Sequence, residues 1–550
     1  MVFLKKHSIN KSIILASIMS LLFNSCAQKQ PETFTENWWK ETVFYEVYMP
    51  SFKDSDGDGF SDFKGLTSKL DYIASLGVKG LWLTPFLESP KVDNGYDVSS
   101  YYSIDATYGD LEDFKLLISE AHKRDIKVIM DLVLNHTSTE HEWFKEAVKS
   151  KDNPYRDYYI WEDVPNNWES LFGGTAWELD PITNQYYYHQ FDVKMADLNW
   201  GNPTVRKEIQ KVLRFWLDLK VDGFRLDVIN FLTTEGMTID NPKNEKGEQE
   251  HLHDLNQKGV KDAMRMIKAT VDEYENRFIV GEIGSDKIAV LKQYQGEELL
   301  DVVFNFNFGS IPEFSAQRIF DELQSMEKHM SNYPTLFFGS HDMPRLMNRL
   351  ATNDVAKASA LAALMLTAKG VPFIYYGEEL GMQNITANSY QEIVDVQGKT
   401  HYKLSKEKGL SEDESLKIAN SKNRDKSRSP MQWDTSNYSG FSDKLPWIKV
   451  QEDYLSANVA TLEAEKKSIL NTYKDIIAMR NSEQVLQYGT YDSLSLDKNV
   501  IRFTRSFKKE KISCYFNFSD VSITIKLRPN ETILLGATEM LPNSFLIIKK

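Results

Sequence analysis

The sequence predicts an α/β protein: a (β/α)8 TIM barrel with a small domain inserted after its third strand and an antiparallel β domain at the C-terminus. Three observations support this prediction: apolar strands that alternate with amphipathic helices, two long interruptions of that order, and a change to alternating strands near the end. The chain has 550 residues, which suits one large domain with smaller additions. A doubly wound open sheet is the structural alternative.

Eight short runs are typical of buried strands, as a parallel sheet covered by helices requires. They span residues 43–49, 78–85, 127–135, 223–228, 278–282, 302–308, 336–341 and 372–376. Helical patterns separate them, for example over residues 111–124, 203–219 and 356–368. Eight strands with crossover helices predict a closed barrel.

The interruptions predict the domain boundaries. Roughly 65 residues rich in Trp, Tyr, Asn and Asp separate the third strand from Val205, too many for a simple loop. A second insertion follows Tyr376, and after about residue 487 the pattern becomes that of an antiparallel sheet. We therefore assign residues 37–136 and 197–480 to the barrel, 137–196 to an inserted domain and 487–550 to a C-terminal β domain.

The N-terminal segment is typical of an exported protein. Lysines at positions 5, 6 and 11 precede an apolar run over residues 13–23, which is too short to cross a bilayer as a mature helix. Ser25 and Cys26 follow, and a small residue before Cys after such a run resembles a bacterial lipoprotein signal. We expect residues 1–25 to be a signal peptide, Cys26 to be lipidated and residues 26–36 to be a tether. An ordinary signal peptide with an incidental Cys is the alternative.

These features limit partners and location. Lipidation of Cys26 implies an extracytoplasmic protein anchored to a bacterial membrane, on the periplasmic side or at the cell surface. The formal net charge of −14 argues against nucleic acid as a partner, because binding to phosphates needs clustered Lys and Arg. The one other cysteine, Cys514, leaves no disulfide framework to expect in the mature chain.

Polar residues occur at the predicted ends of four strands, where barrel enzymes place their catalytic groups. They are Asn135, His136, Arg225, Asp227, Glu282, His341 and Asp342. Each residue alone could be a helix cap or a surface group. Four strand ends that carry carboxylate, imidazole or guanidinium together indicate a functional site.

The chemistry that fits these residues is cleavage of a glycosidic bond, which needs two carboxyl groups flanking the bond. Asp227 would attack the anomeric carbon, and Glu282, which follows an apolar run, would donate a proton to the leaving oxygen. Arg225 lies two residues before Asp227 on one strand, so both side chains point the same way and the guanidinium can keep the carboxylate ionised. The groups left to bind sugar hydroxyls are His136, His341 and Asp342.

Four segments resemble the signature regions of glycoside hydrolase family 13, the α-amylase family, in their order and spacing. They are residues 131–136 (DLVLNH), 223–230 (GFRLDVIN), 280–283 (VGEI) and 339–342 (GSHD). The likeness covers nearly all of the mature chain. It implies a retaining α-glucoside hydrolase that acts on α-glucan oligosaccharides, with Asp227 as nucleophile, Glu282 as general acid/base and Asp342 as transition-state stabiliser.

The segment 54–62 (DSDGDGFSD) offers oxygens at alternate positions, with glycines for a sharp turn. Such a pattern is typical of a cage for a hard cation, so a structural Ca²⁺, or Mg²⁺, is expected. An acidic solvated turn is the alternative. The expected ligands are the side chains of Asp54, Asp56, Asp58 and Asp62 and the carbonyl of Phe60.

Two more segments carry the resemblance. In residues 94–98 (NGYDV), it implies that Tyr96 stacks on the sugar at the cleavage point and that Asp97 binds its hydroxyls. Residues 423–434 (NRDKSRSPMQWD) resemble oligo-1,6-glucosidases, α-glucosidases and trehalose synthases. In those enzymes an Arg of this segment closes the sugar pocket, which makes Arg424 and Arg428 the candidates here.

The linkage that is cut depends on the residue after the nucleophile. In this subgroup Val at that position, here Val228, goes with α-1,6 cleavage, which favours exo-acting removal of glucose. Residues 195–199 (MADLN) differ from the usual QPDLN and look nearer to neopullulanases. An endo-acting α-amylase or neopullulanase cleaving α-1,4 bonds is therefore the alternative. A transglycosylase and a non-catalytic glycan-binding lipoprotein are further alternatives.

Overall fold

The computed structural model describes residues 37–235, 239–330 and 332–550. The predicted signal peptide, the tether and Cys26 lie outside the described residues. Among the helices of the described part, none is both long enough and apolar enough to cross a membrane.

Parallel strands form the central barrel of the described chain. In chain order they are β1 Phe44–Val47, β2 Gly80–Leu83, β3 Lys127–Leu132, β4 Gly223–Leu226, β5 Phe278–Gly281, β6 Val302–Val303, β7 Thr335–Leu336 and β8 Val371–Tyr375. Their hydrogen-bonded order is β6-β5-β4-β3-β2-β1-β8-β7. The hydroxyl of Thr335 joins the remaining edges, because it accepts from the amide of Asn305 at 2.9 Å and donates to the carbonyl of Val303 at 3.0 Å. The predicted barrel is confirmed.

The helices cover the barrel because each turns an apolar stripe inwards. Pro203–Asp218 is the clearest case: Asn202 caps its start by accepting from the amide of Thr204, and Pro203 suits the first turn. The residues that it buries recur at helical spacing: Val205, Ile209, Val212, Leu213, Trp216 and Leu217. The other helices of the barrel and its loops are Phe63–Ser68, Leu70–Ser75, Leu111–His122, Val260–Val271, Ile288–Leu291, Phe306–Gly309, Ala316–His329, Leu346–Arg349, Val355–Thr367, Val459–Ala464, Ile469–Ser482 and Gln484–Tyr488.

Two insertions stand at the carboxyl ends of the strands. The segment after β3 contains the helix Glu142–Ala147 and an antiparallel sheet made of Trp161–Glu162, Trp177–Asp180 and Gln185–Tyr188. The strands His136–Ser138 and Met195–Asp197 pair at its base. The segment after β8 contains the helices Val396–Glu407 and Glu412–Lys422.

The C-terminal part is an antiparallel sheet, as predicted. Its strands lie in the order Thr490–Asp497, Val500–Phe507, Glu510–Asn517, Ser544–Lys549 and Thr532–Gly536, with Ile523–Thr524 paired to Glu539–Met540 beside them. Cys514 is buried in this sheet. A buried arginine joins the sheet to the barrel: Arg505, in the strand Val500–Phe507, donates to the carbonyl of Thr367 at 2.9 Å.

The sixth and seventh strands are shorter than the sequence predicted. The run 302–308 leaves the strand after Val303 and enters the helix Phe306–Gly309, which Asn305 caps. The run 336–341 leaves the strand after Leu336. The rings of Phe304 and Phe337 pack at 5.3 Å in this region, and an apolar run of this kind does not distinguish a strand from a buried loop.

Candidate active site

The functional groups meet at the carboxyl ends of the strands. Asp227 follows β4 directly, and Glu282 follows β5 directly. Arg225 of β4 lies in register beside Asp131 of β3. Above them is a cavity of about 220 Å³, and Asp227, Glu282 and Asp342 line it.

The guanidinium of Arg225 joins three carboxylates. Its Nη1 donates to both oxygens of Asp131 at 2.7 and 2.8 Å and to Asp227 at 2.8 Å. Its Nη2 donates to Glu282. Arg225 is itself buried below the cavity, so it orients Asp227 and Glu282 from beneath and leaves their upper sides open to a ligand.

Burial dominates the electrostatics of this cluster. It raises the pKa of Asp227 and of Glu282 above their ordinary values, and Arg225 opposes that rise in both. Burial also raises the pKa of Asp131 to about 6. Like charges add to the effect of burial, because Glu282 and Asp131 also raise the pKa of Asp227. A carboxylate that shares a site with a protonated carboxyl is the arrangement needed for nucleophile and acid.

His341 is a neutral ring in a chain of hydrogen bonds. Burial lowers its pKa to about 3. Its Nε2 lies 2.6 Å from the hydroxyl of Tyr96 and its Nδ1 lies 2.6 Å from Glu46. The Tyr96 hydroxyl also donates to Asp131 at 3.1 Å, and burial raises the pKa of Glu46. The rings of Tyr96 and His341 stack at 5.5 Å.

Asp342 is the ionised member of the site. Burial acts to raise its pKa, but His341 and neighbouring arginines outweigh burial and hold the pKa below its ordinary range. Arg428 Nη2 lies 3.1 Å and Arg424 Nη1 lies 3.5 Å from its Oδ1. Its side chain keeps 33% of its surface exposed, so a charged oxygen faces the cavity.

Arg424 lines the cavity beside Asp93. Its Nη2 lies 2.5 Å from Asp93, on the loop after β2, and 2.5 Å from Asp395, which caps the helix Val396–Glu407. The ion pair of Arg424 with Asp93 therefore connects the loop after β2 to the insertion after β8, which are far apart in the chain. Arg428 is completely buried, does not line the cavity and donates from Nε to the carbonyl of His341 at 2.9 Å.

The structure brings most of the predicted residues to one place. Those that line the cavity are Tyr96, His136, Asp227, Val228, Glu282, Asp342 and Arg424. Those that lie behind its wall are Arg225, His341 and Arg428. Burial lowers the pKa of His136 to about 3, so this ring also is neutral.

Asp97 requires a correction. It is completely buried and is not part of the cavity wall; its carboxylate accepts from the Ser89 hydroxyl at 2.9 Å and from the amides of Val92 and Asp93 at 2.8 and 3.0 Å. Asp93 lines the cavity instead. The turn at Asn94, whose φ is 49°, separates the two carboxylates. Asp97 therefore holds the turn that presents Asp93.

Several residues of the site were missed by the sequence analysis. They are Glu46, Asp93, Asp131, Phe172, Phe191, Asp395 and Gln397. Asp131 had a signal, because a charged residue within an apolar strand beside another charged strand residue predicts an ion pair. Asp395 had none, since its contact with Arg424 depends on how the second insertion folds.

Val228 has a strained backbone. Its φ is 35° and its ψ is 42°, the left-handed region that β-branched residues avoid. Such a conformation costs roughly 1–3 kcal/mol and persists where the surroundings impose it. In this conformation the Val228 side chain forms part of the cavity wall, and the Val228 amide faces Glu282.

The acidic loop lies beside the second insertion. One oxygen each of Asp54, Asp56 and Asp58 lies within 4.8 Å of the others. Asp62 is not in this group: its oxygens accept from Ser55 and from the amide of Gly65, where it caps the helix Phe63–Ser68.

Known proteins resemble this chain over most of its length. Residues 46–489 match the family described as alpha amylase, catalytic domain. A trehalose-6-phosphate hydrolase of Bacillus subtilis (strain 168) is 38% identical over 535 residues, covering 90% of this chain and 92% of that protein. An oligo-1,6-glucosidase of Bacillus cereus is 37% identical over 536 residues, covering 93% and 96%.

Solved structures also resemble this chain over most of its length. The crystal structure of trehalose-6-phosphate hydrolase from Bacillus licheniformis has a TM-score of 0.82 at 35% identity, covering 93% of this chain and 99% of that one. The trehalulose synthase from Pseudomonas mesoacidophila MX-45 has a TM-score of 0.86 at 33% identity, with the same coverage. The barrel, the carboxylates at its strand ends and these relatives agree: the chain belongs to the α-amylase family of glycosidases.

Proposed function

We propose that this protein is an exo-acting α-glucosidase that removes glucose from the ends of α-1,6-linked oligosaccharides. The observation that carries the proposal is the small cavity around Asp227 and Glu282, whose lining includes the ion pair of Arg424 with Asp93. At about 220 Å³, the cavity is smaller than the roughly 300–1,000 Å³ of sites for drug-sized ligands. This size fits one sugar ring rather than a chain that passes through.

The proposed reaction is a double displacement with retention of configuration. A carboxylate oxygen of Asp227 attacks the anomeric carbon while Glu282 gives its proton to the glycosidic oxygen, and the aglycone leaves. Glu282 then takes a proton from water, whose oxygen attacks the same carbon and releases Asp227. The support for these roles is the position of both carboxyls on one guanidinium, with the pKa of Glu282 raised by burial.

The other groups would hold the sugar during this reaction. Asp342, ionised and partly exposed, would accept bonds from ring hydroxyls and strengthen them as the ring distorts. His136 and Tyr96 line the same cavity, and His136 is neutral, so its ring can bind a hydroxyl. Asp93 and Arg424, which line the same cavity, would bind further hydroxyls.

The α-1,6 preference is supported by Val228 in the cavity wall and by relatives named oligo-1,6-glucosidase. Met195 lines the same wall and favours the alternative, cleavage of α-1,4 bonds. The test is to incubate the enzyme with isomaltose, panose, maltotriose, soluble starch and trehalose 6-phosphate and to measure released glucose. We expect cleavage of isomaltose and panose. Activity on starch and maltotriose, with no activity on isomaltose, would reject the proposal.

The same reaction mixtures test two other classes of protein, a transglycosylase and a non-catalytic glycan-binding protein. A transglycosylase would convert sugars into new linkages with little free glucose, which product chromatography would show. A non-catalytic glycan-binding protein would release nothing. The presence of Asp227, Glu282 and Asp342 around one cavity favours hydrolysis over binding alone.

We propose a structural Ca²⁺, or Mg²⁺, in the loop 54–62. The donor set fits: hard carboxylate oxygens of Asp54, Asp56 and Asp58 approach within 4.8 Å. The carbonyl of Phe60 and Asp62 would complete the proposed site. A chelator should lower the melting temperature of the protein, and added Ca²⁺ should restore it. An elemental analysis without Ca²⁺ or Mg²⁺ in the purified protein would contradict the site.

We also propose that Cys26 carries a lipid that anchors the enzyme to a bacterial membrane outside the cytoplasm. The support is the basic and apolar pattern before Cys26. The variant Cys26→Ser should move the enzyme from the membrane fraction to the soluble fraction in its native host. An unchanged distribution would reject lipidation.

A further inference from the structure

Three consecutive backbone carbonyls beside the site each accept a hydrogen bond from a buried hydroxyl. Tyr375 donates to the carbonyl of Ser427 at 3.0 Å, Ser51 donates to that of Arg428 at 2.6 Å, and Tyr376 donates to that of Ser429 at 2.6 Å. We call these three donors, Ser51, Tyr375 and Tyr376, the hydroxyl cradle. Each of them is 1% exposed or less.

The hydroxyl cradle belongs to the rigid rim of the barrel. Tyr375 ends β8 and Tyr376 follows it, while Ser51 lies in the turn after β1. β1 and β8 are hydrogen-bonded neighbours, with Glu46 in register with Tyr375. Arg428 itself lies in neither a helix nor a strand. Its amide bonds locally to the carbonyl of Asp425 at 2.9 Å, whereas its carbonyl and those of its two neighbours are held from the barrel.

Arg428 reaches the substrate cavity only through another residue. It is completely buried and is not part of the cavity wall. Its Nε donates to the carbonyl of His341 at 2.9 Å and its Nη2 donates to Asp342 at 3.1 Å. A shift of the Arg428 backbone would thus be transmitted to the carboxylate of Asp342, which faces the cavity.

We propose that the hydroxyl cradle is a set of positioning residues: it sets Arg428 and thereby the place of Asp342. This inference rests on the proposed hydrolysis, in which Asp342 binds the distorted ring. An interaction that strengthens only in the transition state affects kcat and kcat/KM equally and leaves KM unchanged. Small misplacements of such a group are costly, since about 1 Å can lower the rate roughly 10²-fold.

The test removes one hydroxyl at a time with Tyr376→Phe and Ser51→Ala. Tyr187→Phe is the matched control, because its buried hydroxyl donates to the carbonyl of Val193 at 2.7 Å in the inserted domain. With isomaltose and p-nitrophenyl α-glucoside as substrates, we expect kcat to fall about three- to tenfold in the cradle variants, as one lost hydrogen bond allows. KM should stay within about twofold. The control should keep wild-type kcat, although its melting temperature also falls.

A second measurement separates positioning from simple stabilisation. In the Arg428→Lys background, Tyr376→Phe should lower the melting temperature further. The kcat of this double variant should equal that of the Arg428→Lys single variant. A further multiplicative loss of kcat in the double variant would overturn the inference. Wild-type kcat in Tyr376→Phe and Ser51→Ala would also overturn the inference, if the wild-type enzyme is active on these substrates. A wild-type enzyme inactive on both substrates would instead overturn the proposed function, and this inference with it.

Discussion

The variant Arg225→Lys tests the centre of the site most directly. Arg225 uses two nitrogens to bond three carboxylates, of Asp131, Asp227 and Glu282. A lysine brings one compact ammonium on a flexible, unforked stem, so it can keep some of these bonds but not the fixed geometry of all three.

The magnitude follows from the number of bonds lost. A hydrogen bond to a charged group is worth about 1.5–3 kcal/mol, so losing two of the three carboxylate partners removes about 3 kcal/mol or more. This agrees with the roughly 3–5 kcal/mol that breaking a buried ion pair costs. Because both reacting carboxyls lose their orientation, kcat should fall by about 10²-fold or more.

The assays are urea unfolding followed by tryptophan fluorescence, and initial rates with p-nitrophenyl α-glucoside. Arg214→Lys is the control: its guanidinium bonds both oxygens of Glu273 at 2.7 Å, but the two side chains are 39% and 45% exposed. A surface pair of this kind is worth about 0–1 kcal/mol. A loss below about 1 kcal/mol for Arg225→Lys, with kcat near wild type, would refute the reasoning.

Three further predictions concern the catalytic carboxyls, the linkage preference and Asp197, a buried carboxyl that ends the strand Met195–Asp197. Asp227→Asn should fold normally and lose nearly all hydrolysis, and Glu282→Gln should lose about 10²–10⁴-fold; wild-type rates in either would contradict the assignment. Val228→Ala should raise the ratio of maltotriose cleavage to isomaltose cleavage. An unchanged ratio would show that Val228 does not determine the linkage preference. Burial raises the pKa of Asp197 to about 8, so its contribution to stability is complete below pH 4 and is lost as pH rises towards 8. Asp197→Asn should therefore gain in melting temperature relative to wild type between pH 5 and pH 8, since Asn135 has an unpaired amide oxygen that can turn to meet it.

Local patterns in the sequence predicted the parts of the site that depend on neighbours along the chain. Arg225 and Asp227 share one face because strand side chains repeat every two residues. Glu282 follows an apolar strand, and strand ends meet at one edge of a barrel. The barrel and the C-terminal sheet were predictable for the same reason: their apolar periodicities are local.

Local patterns failed where the backbone departs from a regular element. The strands expected at 302–308 and 336–341 are too long, because phenylalanines in a buried loop look like strand residues. The resemblance in residues 94–98 implied Asp97 as a sugar ligand, whereas Asp93, on the other side of one tight turn, lines the cavity. The direction of each depends on the dihedral angles of Asn94 and Gly95, at φ 49° and 105°, which residue type alone does not specify.

The sequence by itself determined the fold class, the α-amylase family and the carboxyls Asp227 and Glu282, because each follows from a short contiguous pattern. The tertiary structure alone decided which groups surround them. Arg424 meets Asp93 across 331 positions of the chain, and Ser51 meets Arg428 across 377. Such contacts arise when insertions pack against the barrel rim, and the sequence near either partner carries no trace of the other.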